Sequence, residues 1–135
     1  MKVNIVGAGV AGLSLAWELI TQGVDVDVYE RSSKIGEQAC SWFAGGMLAP
    51  WCEAESAEPV VLAYGKQSLN WWQAVLGDEA VSHKGTLVFA QARDRKELSR
   101  FARRTSAYDL IDQASIAELE PELAGHFKQP LYFKD

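Results

Sequence analysis

The stretch Lys2-Val3-Asn4-Ile5-Val6-Gly7-Ala8-Gly9-Val10-Ala11-Gly12, with the run from Leu13 to Glu30 behind it, decides how this chain folds. Lys2 to Val6 reads as a short buried strand, and Val10 to Gln22 carries apolar residues at helical spacing. Val24 to Tyr29 alternates valine with aspartate as a second strand, and Gly23 supplies the helix stop before it. A strand, helix and strand joined by a right-handed crossover place the two strands parallel in one sheet.

Within that unit Gly7-Ala8-Gly9-Val10-Ala11-Gly12 follows a strand and opens a helix, and Glu30 stands at the end of the next strand. Gly7 permits the tight turn, Gly9 lets the backbone approach a pyrophosphate without a Cβ in the way, and Gly12 lets the helix lie close on the sheet. Phosphate charge then meets the free N–H groups and positive dipole end of the helix at Val10 and Ala11. The Glu30 carboxylate accepts from ribose hydroxyls of an adenosine and repels a 2′-phosphate, which disfavours NADP. The prediction is a dinucleotide site on a Rossmann-like α/β domain. The fingerprint alone does not separate FAD from NAD, because both present an adenosine diphosphate half to the same turn.

Past Glu30 the composition changes. An NAD domain would continue with another helix and strand, whereas residues 31 to 50 are small and polar and end in Ala44-Gly45-Gly46-Met47-Leu48, which reads as irregular backbone. The glycine pair Gly45-Gly46 fits close backbone approach to a flat ring. Ser56 to Leu76 reads as a helix with Val61, Tyr64, Ser68, Trp72 and Val75 on one face, ended by Gly77-Asp78. Thr86 to Ala90 reads as a strand. Asp94 to Thr105 reads as a helix with the stripe Leu98, Phe101, Ala102 and Thr105, opened by an Asp94–Glu97 capping box. Ser115 and Glu118 form a second capping box ahead of a short helix that Pro121 limits, and Leu131 to Phe133 reads as a last strand.

Composition narrows the function classes. The chain has 135 residues, one domain's worth, and with 48% of them hydrophobic it is long enough for a core. The 13 basic against 18 acidic residues give a net charge of −5, which argues against a nucleic-acid partner. Val3 to Ile20 imitates a signal peptide's apolar region, but Asn4, Ser14 and Glu18 interrupt it and no small-residue cleavage motif closes it. A membrane span fails on the same residues, and a cytoplasmic protein with Cys40 and Cys52 as free thiols is expected.

The residues Val3 to Gly12, Tyr29-Glu30-Arg31, and Ser41-Trp42-Phe43-Ala44-Gly45-Gly46-Met47-Leu48-Ala49-Pro50 with Glu53 and Glu55 behind them resemble the D-amino-acid oxidase family of FAD-dependent flavoproteins, and its glycine oxidase branch above all. The likeness continues through Lys84-Gly85-Thr86-Leu87-Val88 and Ala117-Glu118-Leu119-Glu120-Pro121. The resemblance implies FAD as cofactor, with Val10, Ala11, Glu30 and Arg31 on its ADP moiety. It also implies that Cys40, Ser41, Gly45, Gly46 and Met47 lie along the pyrophosphate, ribityl chain and isoalloxazine. It further implies a flavin domain begun by residues 1–78 and an α+β substrate domain begun by residues 79–135. The implied reaction takes a small amine or amino acid, glycine first, to its imine, with oxygen as electron acceptor, in thiamine biosynthesis. Trp42 and Phe43 stand where glycine oxidases commonly carry alanine. Family members are two to three times longer and grip their substrate in a region without counterpart here, so no catalytic residue is expected in this chain, and alone it is expected to be inactive.

Other residues have ordinary explanations. His83 and His126 sit far apart with no ligand-spaced partner, so no metal site is expected. Glu53, Glu55 and Glu58 read as a solvated acidic helix start. Arg93, Arg95, Lys96, Arg100, Arg103 and Arg104 crowd one helix, which reads as a solvated face or the inter-subunit surface of a homo-oligomer. Trp71-Trp72 reads as core or interface. The competing readings are an NAD-dependent dehydrogenase and a non-catalytic nucleotide-binding fragment or subunit.

Overall fold

The computed structural model describes residues 1–134; Asp135, the last residue of the segment expected to open a substrate domain, lies outside the described residues. The chain divides into two compact units, Met1–Met47 and Leu48–Asp135.

In the first unit, strand β1 (Lys2–Val6) pairs in parallel with β2 (Asp25–Tyr29), in a register running from Lys2 opposite Asp25 to Val6 opposite Tyr29. Helix α1 (Val10–Thr21) makes the crossover. Its packed side carries Ala16, which is buried with Ile5 of β1 and Ala8 of the connecting turn. The small Ala8 and Ala16 let the helix lie close to the strands. The helix ends as the sequence predicts, with Gly23 at φ +78°. The Gly23 N–H donates to the Ile20 carbonyl at 2.9 Å and the Val24 N–H to Leu19 at 3.0 Å, the double bond of a Schellman stop. Residues 30–47 are irregular apart from one 3₁₀ turn, Cys40–Phe43. The two-stranded sheet leaves Val6 89% exposed, and Phe43 and Met47 are also largely uncovered.

In the second unit, short helix α2 (Pro50–Glu53) precedes α3 (Pro59–Leu76), whose first residue is proline where the missing N–H costs nothing. Pro50 is buried against α3 at Gly65, where a Cβ would come within 2.7 Å of the proline ring. Lys66 of α3 lies over the Trp51 ring, 3.7 Å from its centroid. The packed side of α3 therefore includes Leu62, Gly65 and Leu69, while Val61 and Tyr64 of the expected stripe face outward; Ser68, Trp72 and Val75 lie on the covered side as expected. The helix begins three residues later than the expected Ser56.

Strands β3 (Thr86–Val88), β4 (Tyr108–Leu110) and β5 (Leu131–Phe133) form an antiparallel sheet in the order β3-β5-β4. Central β5 carries the core: Phe133 is 1% exposed and Leu131 is also buried. The Phe133 ring meets Phe101 and Tyr108 edge-on, at 6.2 and 5.8 Å. Phe101 belongs to α4 (Arg95–Arg104), whose partly covered residues Leu98, Phe101 and Ala102 are those of the expected stripe, continued by Thr105 just past its end.

Two capping expectations fail. Asp94 does precede α4, but its carboxylate turns to Arg93 at 3.3 Å and caps nothing, and Glu97 pairs with Arg100 at 2.5 Å. At α5 (Gln113–Leu119) the cap is Asp112, whose Oδ1 accepts from the Ser115 N–H and hydroxyl, both at 2.9 Å. Ser115 thus occupies the third helical position and satisfies the cap instead of forming it.

Candidate nucleotide-binding site

Gly7 adopts φ +102°, outside the range of an L side chain, and so turns the chain directly from β1 toward α1. A Cβ on Gly12 would stand 2.0 Å from the Gly7 carbonyl oxygen and 3.3 Å from Ile5 Cγ2. This is the close helix-to-strand approach that the glycine spacing predicts. Gly9 precedes the helix in extended conformation with no side chain over the helix end. The first helical hydrogen bond is the Leu13 N–H to the Gly9 carbonyl at 3.0 Å, so the N–H groups of Val10, Ala11 and Gly12 belong to the open end of α1.

Two neighbours frame that end. The first is Glu30, half-buried just past β2, whose Oε2 accepts from the Ala8 N–H at 2.8 Å and whose Oε1 accepts from the Ser32 N–H at 3.0 Å. The Gly7 N–H donates to the Tyr29 carbonyl at 2.8 Å, so the turn is stitched to the end of β2 by two successive amides. These bonds hold the Glu30 carboxyl below its ordinary range, the Ala8 N–H most, then the Ser32 N–H, against a smaller opposing effect of burial. The carboxylate is therefore charged and oriented at neutral pH.

The second neighbour is the 39–41 segment. Ser41 Oγ stands 3.4 Å from the Val10 N–H, and a Cβ on Gly9 would lie 3.5 Å from Ala39 Cβ. Gly9 thus keeps free the space between the turn and this segment. Of the residues singled out in sequence, Gly7, Gly9, Val10, Ala11, Gly12, Glu30 and Ser41 converge here. Arg31 and Cys40 flank them with exposed side chains. Gly45, Gly46 and Met47 are exposed further along the chain, Gly46 at φ +68°, and among the described residues no hydrogen bond joins them to the turn. Sequence reasoning missed Ser32; a serine two residues after an acid, able to bond back through its own N–H, was the available signal.

The donor set suits an adenosine diphosphate: the Val10 and Ala11 N–H groups at a helix start for phosphate, with the Val10 N–H donating to Ser41 Oγ at 3.4 Å, and an oriented carboxylate for hydroxyls. Elsewhere, Glu55 departs from the expected solvated helix start. It takes Arg104 at 3.2 Å and Arg100 at 3.8 Å, which removes part of the positive charge from α4. His83 and His126 are exposed, and among the described residues no three His, Cys, Asp or Glu side chains are grouped to hold a metal ion. Burial, and then the Glu53 charge, push the Cys52 thiol up. Among the described residues no helix is long and apolar enough to cross a membrane.

Comparison with known proteins agrees with this geometry. The family of FAD dependent oxidoreductases called DAO matches residues 2–135. A Rhizobium etli protein named for a thiamine biosynthesis oxidoreductase, ThiO, is 51% identical over 134 residues, which are 99% of this chain and 40% of that protein. A D-amino acid dehydrogenase of Paramagnetospirillum magneticum is 34% identical over 90% of this chain and 30% of its own length. A zeta-carotene desaturase of Synechocystis shares 49% identity over 45 residues, a third of this chain. The chain spans well under half the length of these relatives. With its glycine turn, tethered glutamate and end-to-end match, the chain belongs to the DAO family of FAD-dependent oxidoreductases.

Proposed function

We propose that this chain is the FAD-binding portion of an amine or amino-acid oxidoreductase of glycine oxidase type, acting in thiamine biosynthesis. The observation that carries the reading is the open N-terminus of α1, with a charged, pre-oriented Glu30 beside it and no Cβ at Gly9 or Gly12 to close the approach. In this reading the N–H groups of Val10 and Ala11 hold the pyrophosphate, and Glu30 holds the adenosine ribose. Gly7, Gly9 and Gly12 give the backbone room, and Arg31, Cys40, Ser41, Gly45, Gly46 and Met47 complete the cofactor contacts. Residues 1–78 belong to the flavin domain and residues 79–135 open the substrate domain.

Bound FAD supplies the two-electron acceptor for oxidising a neutral amine to its imine, the electrons then passing to oxygen as peroxide. The similarity to the ThiO-named protein supports glycine as substrate and the thiamine role; sarcosine and D-amino acids are the alternative substrates. The D-amino acid dehydrogenase similarity supports a second reading for the acceptor, a carrier other than oxygen. A cytoplasmic setting keeps Cys40 and Cys52 reduced.

The test is an absorbance spectrum of this chain and of the longest product of its gene, each with its intact mass. Flavin absorption in the longer product only, which bleaches with glycine under nitrogen and yields peroxide once air is admitted, is the expected result. A colourless product that binds NAD overturns the flavin assignment, and bleaching without peroxide moves the acceptor to the second reading.

A further inference from the structure

The Ser32 side chain stands between two acceptors. Its Oγ lies 2.7 Å from the Lys34 carbonyl oxygen and 3.3 Å from Glu30 Oε1. A hydroxyl has one proton to donate, and the shorter, better contact is the one to Lys34. The hydroxyl thereby closes the 32–34 turn and leaves the Ser32 N–H as the donor on Oε1 at 3.0 Å.

A carboxylate offers about four lone-pair sites, about two on each oxygen. The Ala8 N–H takes one on Oε2 and the Ser32 N–H takes one on Oε1. Each oxygen therefore keeps one acceptor position, and two such positions side by side match the two neighbouring hydroxyls of a ribose. A second proton from Ser32 would fill Oε1 and halve that capacity. The groups facing the carboxylate are the N–H of Ala8, Ser32 and Arg31 and the Ser32 hydroxyl, and no ion pair to Glu30 occurs among the described residues.

We propose that Ser32 is a positioning residue: its hydroxyl, committed to the Lys34 carbonyl, fixes the 32–34 turn so that Glu30 presents one open lone pair on each oxygen to a vicinal diol. This rests on the reading of the Gly7–Gly12 turn as an adenylate site. Ser32 acts through Glu30 and sets how strongly the site prefers a ribose to a 2′-deoxyribose.

The experiment measures binding of ADP and of 2′-deoxy-ADP to the cofactor-stripped longest gene product by calorimetry, for the unsubstituted protein and for S32A, S32T, E30Q and the S32A/E30Q pair. The unsubstituted protein prefers ADP over 2′-deoxy-ADP by about tenfold or more, as loss of a hydrogen bond to a charged acceptor implies. S32A lowers that preference about threefold to tenfold with little change for 2′-deoxy-ADP, S32T restores it, and S32A adds nothing in the E30Q background. Equal loss for both nucleotides in S32A, or an S32A effect that persists undiminished in E30Q, overturns the role of Ser32. An unsubstituted protein that binds neither nucleotide, or binds both alike, overturns the adenylate reading itself and Ser32 with it. An unchanged melting curve for S32A shows that its effect on binding is not misfolding.

Discussion

At Gly12 one added carbon would stand 2.0 Å from the Gly7 carbonyl oxygen, whereas at Phe133 a whole ring already fills the centre of its unit with 1% of its surface exposed. The β1–α1 turn is defined by what is absent, and the β3-β5-β4 sheet by what is present. The turn keeps its shape through hydrogen bonds from its own amides, Gly7 to the Tyr29 carbonyl and Ala8 to the Glu30 carboxylate, with no bulky side chain of its own. The sheet has three strands of three residues each, too short to stand on ladder bonds, and depends on Phe133, Phe101 and Tyr108 meeting edge to face. A site that must admit a ligand's phosphates uses the first strategy; a scaffold uses the second.

The comparison breaks or holds at particular residues. Phe133→Ala should destabilise the second unit most, by about 3–5 kcal/mol in denaturant titration, as for a large buried aromatic; a loss below about 1 kcal/mol would show that the sheet stands without its core ring. Gly12→Ala comes next, at about 3 kcal/mol, the upper end for an overpacked position, and should abolish ADP binding in calorimetry. Binding that survives Gly12→Ala would mean the turn has slack that its 2.0 Å approach denies.

Glu55→Gln tests whether ion pairs share the scaffold's work. The Glu55 side chain is 23% exposed and its two partners about half exposed, so a loss of about 1 kcal/mol or less is expected, shrinking with salt. Ala107 lies between α4 and β4 at φ +66°, the one described non-glycine residue in the left-handed region. Ala107→Gly should therefore raise the melting temperature, by relief worth up to about 1 kcal/mol; a lower melting temperature would show that the Ala107 methyl group packs usefully.

The smallest effect concerns pH. Glu30 is depressed in the folded chain, first by the Ala8 N–H, so its contribution to stability is complete above the ordinary carboxylate range and is lost as pH falls through the lowered value. Stability measured from neutral pH down to below the ordinary carboxylate range should show that loss in the unsubstituted protein and lack it in Glu30→Gln. Equal pH dependence would place the Ala8 and Ser32 bonds outside the stability balance.

The turn was legible because glycine marks positive φ or a place with no room for a Cβ: Gly7 and Gly23 take the first and Gly12 the second, as their spacing implies. The α4 stripe was legible because one face of the helix meets one sheet. The α3 stripe was displaced because Pro50 packs on Gly65, and an apolar count gives a glycine no weight as a packing position. Strand β4 escaped because Tyr108-Asp109-Leu110 is too short to show alternation. The Asp112 cap escaped because Ser115 offered an equally good pattern three residues later. Ser41 was placed near the cofactor by resemblance alone, and its approach to Val10 required the intervening loop to fold.

The two stitches from the turn to β2 also set a clock. The amides of Gly7 and Ala8, though outside any strand or helix, are bonded to Tyr29 and Glu30 and exchange their hydrogens only when the end of the sheet opens. The Ala11 amide, one turn of chain away at the open helix end, should exchange with solvent far faster. The loop therefore holds two exchange regimes within five residues, and protection spreading from Gly7 and Ala8 to Ala11 reports an arriving anion without any label on the ligand.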